Sequence, residues 1–367
     1  MSWIEITPLL IFTLSAILLI AYYRFIFSKI TYHSDKKSKE LKPVSVIICA
    51  KNEYVNLKKN LLDVLQQDYP DFEVIVVNDN STDGTDSYLE EVAKNHKRLR
   101  IVHFNEPKVS PGKKEALEYG ILAAKHEQLL LTDADCIPCS QNWIKGMTAG
   151  LSETKDLVLG ISLYTTNNSY ASKFMRMDGI WIAIQYLSYN LIGSPYMSVG
   201  RNVCYTKNLH ESTNGFSSHL HVASGDDDLF VQESATPNNT EIIINRISQT
   251  VSEAENNWKS YISQKSRHHS TGHKYKTLPL SLLGIFQVIT LLFYLGFISC
   301  LLLTSFPIIV SSLFLLKNIV QATVFRRILV KIGVSDSILS FMFLDGVWVL
   351  FLSYINLKNL FRSNKAW

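Results

Sequence analysis

The feature that most limits what this chain can become is Leu129 to Cys136, Leu-Leu-Leu-Thr-Asp-Ala-Asp-Cys. A short apolar run of this kind reads as a strand buried on both faces, and so as part of a sheet covered by helices. It ends in two carboxylates, Asp133 and Asp135, one residue apart. At a strand's carboxyl end, where regular pairing stops, that spacing lets both reach one divalent cation. Mg²⁺ and Mn²⁺ take one or two carboxylates and fill their remaining positions with phosphate oxygens and water. Taken alone, the pair reads more simply as two solvated acids in a loop, so the flanking sequence has to decide.

The 367 residues are 47% hydrophobic with a formal charge of +4. That length could hold two soluble domains, but the apolar residues gather at both ends. Between about Lys42 and Lys276 the composition is that of an ordinary globular chain. No charge block is large enough to point to nucleic acid as a partner, and the mild basic excess lies beside the apolar ends. Cys49, Cys136, Cys139, Cys204 and Cys300 are an odd number without framework spacing, which fits reduced thiols in a cytosolic domain. Ile4 to Phe27 holds only Glu5 and Arg24 among largely apolar residues, enough to cross a bilayer. No basic leading region or small-x-small site marks it as a cleaved signal, so residues 1–28 are expected to be a retained anchor. Lys29, Lys36, Lys37, Lys39 and Lys42 follow, and the positive-inside bias puts the next domain in the cytoplasm.

That domain, residues 43–276, alternates strand and helix signals. Val44 to Ala50 is a buried strand, Asn56 to Gln67 has helical periodicity, and Phe72 to Val77 is a second buried strand. Arg100 to Phe104, a helix from about Lys113 to Lys125, and the Leu129 stretch continue the pattern, which predicts a mostly parallel α/β sheet. Ligands of such sheets collect beyond the strands' carboxyl ends. Glu53, Asp79, Asp133 and Asp135 all fall on that edge, where four acids repel unless a cation or donor groups offset them. No Gly-x-Gly-x-x-Gly or Walker loop is present. What remains is a nucleotide held through base, ribose and a metal-bridged diphosphate.

The motifs Val-Ser-Val-Ile-Ile-Cys-Ala-Lys-Asn-Glu, Val-Ile-Val-Val-Asn-Asp-Asn-Ser-Thr-Asp-Gly-Thr, Gly112-Lys113-Lys114-Glu115-Ala116-Leu117 and Thr132-Asp133-Ala134-Asp135 together resemble a family 2 glycosyltransferase with the GT-A fold. The resemblance covers roughly residues 43–270 and extends to the membrane-anchored branch of cellulose synthase-like and lipid glycosyltransferases. It implies that Glu53 and Asp79 contact the base and ribose of a UDP- or GDP-sugar, and that Lys113 or Lys114 sits near the donor. Asp133 and Asp135 would meet the diphosphate, Asp135 chiefly through Mg²⁺ or Mn²⁺. Asn78 stands where many members carry an acid. Asp79 and Asp83 also read as a capped turn opening a helix.

Further on, Leu157 to Tyr164 reads as a strand and Tyr170 to Leu191 as a long helix. Val199 to Tyr205 resembles the family's glycine-plus-asparagine strand lining the donor sugar, which implicates Asn202. Ser224-Gly225-Asp226-Asp227-Asp228-Leu229 sets three acids together, and a pKa raised by like charges suits a general base. The family's acid–Asp pair points to Asp227, with Asp226 as the other choice; a helix start favoured by the macrodipole is the plainer account. Gln264-Lys265-Ser266-Arg267-His268 resembles the Gln-x-x-Arg-Trp signature, with His268 in place of tryptophan. Gln264 would lie on the donor side and Arg267 would counter charge on the leaving diphosphate. The missing indole argues against a processive polysaccharide synthase. Cys136 and Cys139 have half-zinc spacing without a second pair, and His268, His269 and His273 lie among cations that suit a surface near headgroups.

Residues 278–357 read as a membrane region of two to three segments. Leu278 to Leu303 lacks charge, Ser305 to Phe325 carries Lys317, and Ser337 to Leu357 carries Asp345. Lys317 and Asp345 could pair, and Arg326, Arg327 and Lys331 fit a cytoplasmic loop. Four spans would put the carboxyl terminus outside, whereas Lys358, Arg362 and Lys365 favour inside, so one segment could be re-entrant or interfacial. The expectation is a multi-pass protein of the inner or plasma membrane with a cytoplasmic, inverting glycosyltransferase domain. Its partners would be a nucleotide sugar, a lipid or lipid-linked acceptor and the membrane. The rivals are a processive synthase and a silent membrane protein that binds nucleotide sugar.

Overall fold

Strand β1 (Val44–Ala50) is followed by β2 (Phe72–Asn78), β3 (Leu99–His103) and β4 (Gln128–Asp133), with helices Tyr54–Leu65, Thr85–Asn95 and Lys114–Ala123 between them. The computed structural model describes residues 3–36, 40–167, 169–269 and 271–360, leaving aside the side chains at 339, 340, 342–345 and 360. Every residue of β2 and nearly all of β1 are buried, as helices on both faces require. β1 pairs in parallel with β2 and β4, and β2 with β3. The register sets Ala50 beside Asn78 and Cys49 beside Asp133, so Glu53, Asp79 and Asp133 leave the sheet at one edge.

The stretch Leu129 to Cys136 is strand only as far as Asp133. A turn at Ala134 and Asp135 then starts β5 (Cys136–Pro138), which belongs to a second sheet. The expected strand over Leu157 to Tyr164 is likewise two strands, β6 (Leu157–Leu159) and β7 (Ser162–Thr165), in different sheets. The break falls at Gly160, where a Cβ would stand 2.6 Å from the Asn202 amide nitrogen and 2.7 Å from Met147. Regular strand begins later than expected in β8 (Val203–Thr206), and β9 (Thr240–Ile242) and β10 (Thr250–Glu253) complete the set. The main sheet runs β3-β2-β1-β4-β8-β6-β9, with β8 antiparallel to β4 and β6. The small sheet runs β5-β10-β7. Helix Tyr170–Leu191 forms over the residues read as a long helix.

The chain divides into two compact units, Ser34–Tyr275 and the paired segments Met1–His33 and Lys276–Ser363. In the second unit, three helices among the described residues are long and apolar enough to cross a membrane: Trp3–Tyr32, Thr277–Leu303 and Pro307–Lys331. A further helix covers Ile338–Leu360. Arg326, Arg327 and Lys331, expected in a loop, lie in the last turns of Pro307–Lys331. Lys317 is fully buried, donates to Gln321 Oε1 (2.6 Å), and stands 4.8 Å from the centre of the Phe293 ring. The expected pairing with Asp345 falls on a side chain outside the described residues, as do Lys37, Lys39, Arg362 and Lys365.

Candidate active site

The edge beyond β1, β2 and β4 is built around one ammonium group. Lys113 stands at the start of the helix that feeds β4, and Gly112 before it adopts φ +93°. A Cβ on Gly112 would lie 2.2 Å from the Ala223 carbonyl, so the loop from 222 to 228 can close on Lys113 only over a glycine. Lys113 Nζ then sits 2.6 Å from Asp133 Oδ1 and 3.1 Å from Asp226 Oδ2. Burial disfavours its charge, but the two carboxylates more than offset that and hold the ammonium well above its usual pKa. For Asp133, burial pushes the pKa up, yet Lys113, then Arg201 and His268, bring it below the ordinary carboxylate range. Among the described residues Asp135 forms no ion pair. Its Oδ1 accepts from the Cys136 thiol at 3.3 Å, and burial followed by the charge on Asp133 raises its pKa.

The three acids of the 226–228 loop do three different things. Asp226 faces Lys113. Asp227 caps helix Asp228–Ser234: Oδ1 accepts from the Asp228 amide (2.8 Å) and Oδ2 from the Gly200 amide (2.9 Å). Burial, then Asp226 and Asp228, lift its pKa from 3.8 to about 7, against the pull of Gly200 and Lys113. Asp228 turns inward, is 5% exposed, and accepts from Leu229 N, Tyr275 OH (2.7 Å) and the Thr271 hydroxyl.

A family model for glycosyl transferase family 2 matches residues 45–204, which include Glu53, Asp79, Lys113, Asp133 and Asp135 and end before the 226–228 loop. These residues are a family 2 glycosyltransferase domain. An uncharacterized glycosyltransferase of Haemophilus influenzae is 33% identical over 121 residues, 33% of this chain and 36% of that protein. A beta-monoglucosyldiacylglycerol synthase of Nostoc sp. is 29% identical over 112 residues, 30% of this chain and 24% of that protein. The chain thus spans about a third or less of the length of these two relatives. The mannosyltransferase PcManGT from Pyrobaculum calidifontis, solved in complex with GDP-Man and Mn²⁺, superposes with a TM-score of 0.54 at 17% identity. That match covers 95% of this chain and 99% of the other. The likeness is one of fold, and the fold is GT-A.

Within the matched residues, Glu53, Asp79, Lys113, Asp133 and Asp135 gather at the edge, and Asp226 and Asp227 join them from the loop beyond the match. Glu53 accepts from Asn56 (2.6 Å), and burial, then Asp135 and Asp133, raise its pKa against that bond. Asp79 is 3% exposed; one oxygen pairs with Lys108 and the other, also buried, has no partner among the described residues. Asn78 and Asp83 brace the turn, through Asp86, Ser81, Thr85 and Tyr54.

Two expected donor contacts are corrected. Lys114 is fully buried and donates to the Val222 (2.5 Å) and Ser224 (2.7 Å) carbonyls, so it fastens the acid loop from behind. Asn202 is also fully buried. Its amide donates to Ile161 O and Ser248 O (both 2.8 Å) and its oxygen accepts from the Trp143 indole (2.9 Å), which leaves nothing to offer a sugar. Gln264 and Arg267 lie half-buried on helix Trp258–His269, which is held by Asp178 accepting from Tyr261 (2.7 Å) and Lys265 (2.5 Å).

Two cations escaped the sequence reading. Arg201 stacks 4.2 Å above the Tyr164 ring centre, donates to Ser252 Oγ (2.7 Å), and is held charged by Asp135 and Asp133 among others, against its burial. Its signal was a charged residue directly after Gly200 at the mouth of a buried strand. Lys108, which pairs with Asp79 and donates to Gly112 O (2.6 Å), lies in an irregular loop without periodicity to mark it.

Proposed function

We propose that this chain transfers a sugar, with inversion, from a nucleotide-diphosphate sugar to a hydroxyl of a lipid or lipid-linked acceptor. The observation that carries the reading is Lys113, which joins Asp133 on the nucleotide side to Asp226 beside the base candidate. The unpartnered oxygen of Asp79 and the carboxylate of Glu53 offer acceptors for base and ribose. Asp227 is the base: its carboxylate is held by two amides, titrates near neutrality, and can take the acceptor's proton as that oxygen attacks. Arg201 and Lys113 stabilise negative charge as the diphosphate leaves, with Arg267 and Gln264 on the neighbouring helix as further donors.

Asp135, whose carboxylate keeps its coordinating capacity, fits a divalent cation, with Asp133 beside it. Among the described residues no three His, Cys, Asp or Glu side chains converge on a metal site, so such an ion would be completed by phosphate oxygens and water. Mg²⁺ or Mn²⁺ would supply charge neutralisation to the leaving group. The GDP-Man and Mn²⁺ of the Pyrobaculum enzyme and the diacylglycerol named for the Nostoc relative support the donor and acceptor classes. Three apolar helices fit an acceptor delivered in a bilayer, with the family 2 domain on the cytoplasmic side of the inner or plasma membrane.

The test supplies the purified full chain with a panel of UDP- and GDP-sugars, Mn²⁺ and a lipid extract, and reads the lipids by mass spectrometry. A lipid heavier by one sugar supports the reading. A long soluble glycan would identify a processive synthase instead, and donor binding without any product would leave a silent binding protein.

A further inference from the structure

One end of the membrane-type unit collects its cations. The Tyr22 ring lies 5.3 Å from Phe286, and the Tyr22 hydroxyl donates to Leu282 O (3.1 Å). Tyr23 and Phe27 meet Phe325 at 5.8 and 6.5 Å. These contacts bring the last turns of Trp3–Tyr32, the first turns of Thr277–Leu303 and the last turns of Pro307–Lys331 to one level. Around this aromatic cluster stand Arg24, Lys29, Arg326, Arg327 and Lys331, all exposed. None of the five forms an ion pair among the described residues, and one acid, Asp336, lies in the irregular segment between Lys331 and the helix that starts at Ile338. At the opposite end of the same helices Ser305 donates to the carboxylate of Glu5 (3.3 Å).

Cations that extend into water can be satisfied by solvent alone, but these stand toward the ends of helices long and apolar enough to cross a membrane. The aromatic cluster itself is packed between the helices, whereas Tyr32, 69% exposed at the end of the first helix, is an aromatic residue of the kind found at the headgroup level of a bilayer. The cations stand on the exposed faces of separate helices, which suits an array of phosphates better than one bound ion. Arginine adds bidentate hydrogen bonding to phosphate. We propose that this end of the unit is a binding surface for the phosphate headgroups of anionic phospholipids. Through it the protein would draw an anionic lipid shell around its helices, whatever the acceptor of the transfer reaction.

The test needs no turnover, so its failure is separate from failure of the glycosyltransferase reading. The full chain is placed in nanodiscs of phosphatidylcholine mixed with phosphatidylglycerol, extracted with its bound lipid, and the retained lipids are quantified. Phosphatidylglycerol should be enriched over the bulk. In the triple variant R326Q/R327Q/K331Q the enrichment should fall, by as much as roughly fivefold per cation removed before salt screening. The double variant R24Q/K29Q, on another helix, should act in the same direction, which guards against misfolding of one variant. Equal retention of both lipids by the native chain, or unchanged enrichment in both variants, would overturn the proposal. Displacement of phosphatidylglycerol by millimolar inorganic phosphate would overturn it too, by pointing to a site for a free anion.

Discussion

Asp227 is the residue on which geometry and electrostatics agree. Two amides aim its carboxylate, while burial and the flanking acids lift its pKa from 3.8 to about 7. A pKa raised on folding means the native state binds that proton more tightly than the unfolded chain. The associated stability is complete below the ordinary value and is lost as pH rises through about 7. Asp227→Asn removes this cost, so the variant should melt higher than the native chain at about pH 8 and lose that advantage near about pH 4. Thermal unfolding across that range checks it; a constant difference would mean the carboxyl is not perturbed. Asp135 makes a different prediction. Its carboxylate makes one long thiol contact among the described residues and is otherwise open to a cation, so Asp135→Asn should abolish the gain in donor affinity that Mn²⁺ gives. Calorimetry with and without Mn²⁺ reads this directly, and an undiminished gain would remove Asp135 from the metal.

Among the elements, the parallel half of the sheet was legible because burial on both faces leaves predominantly apolar runs in β1, β2 and β4. The half beyond β4 was not. A run such as Leu157 to Tyr164 is equally apolar whether it is one strand or two, and the break at Gly160 is imposed by Asn202 and Met147 from elsewhere in the chain. Asn202 was misassigned for the same reason: its three partners come from distant segments that sequence periodicity does not connect. The acids at the strand ends were readable from position. Their cations Arg201 and Lys108 were not, since pairing across elements depends on tertiary closure. Asn202→Ala should destabilise the domain by roughly 2–4 kcal/mol, because it strands the Trp143 N–H and two buried carbonyls. Chemical denaturation gives the number, and native stability with weakened donor binding would restore Asn202 to the sugar site.

At the scale of the whole molecule, the acids proposed for catalysis occupy one unit and the apolar helices the other. The apolar segments were plain in the sequence because twenty or more residues without charge have few other fates; the end of the third helix was misplaced because Arg326, Arg327 and Lys331 continue it. If the cationic end faces the cytoplasm, a cysteine introduced at Asn95 should resist an impermeant thiol reagent in intact cells and react after lysis. Labelling in intact cells would reverse the orientation. The central claim, sugar transfer to a lipid hydroxyl with Asp227 as base, is tested most directly by the transfer rate of the full chain in lipid at saturating donor. The rate should rise with pH through about 7 and then level. Asp227→Asn should lower it by a factor on the order of 10²–10⁴ with donor affinity little changed, while Asp226→Asn and Asp228→Asn keep more activity. Near-native transfer by Asp227→Asn would contradict the account.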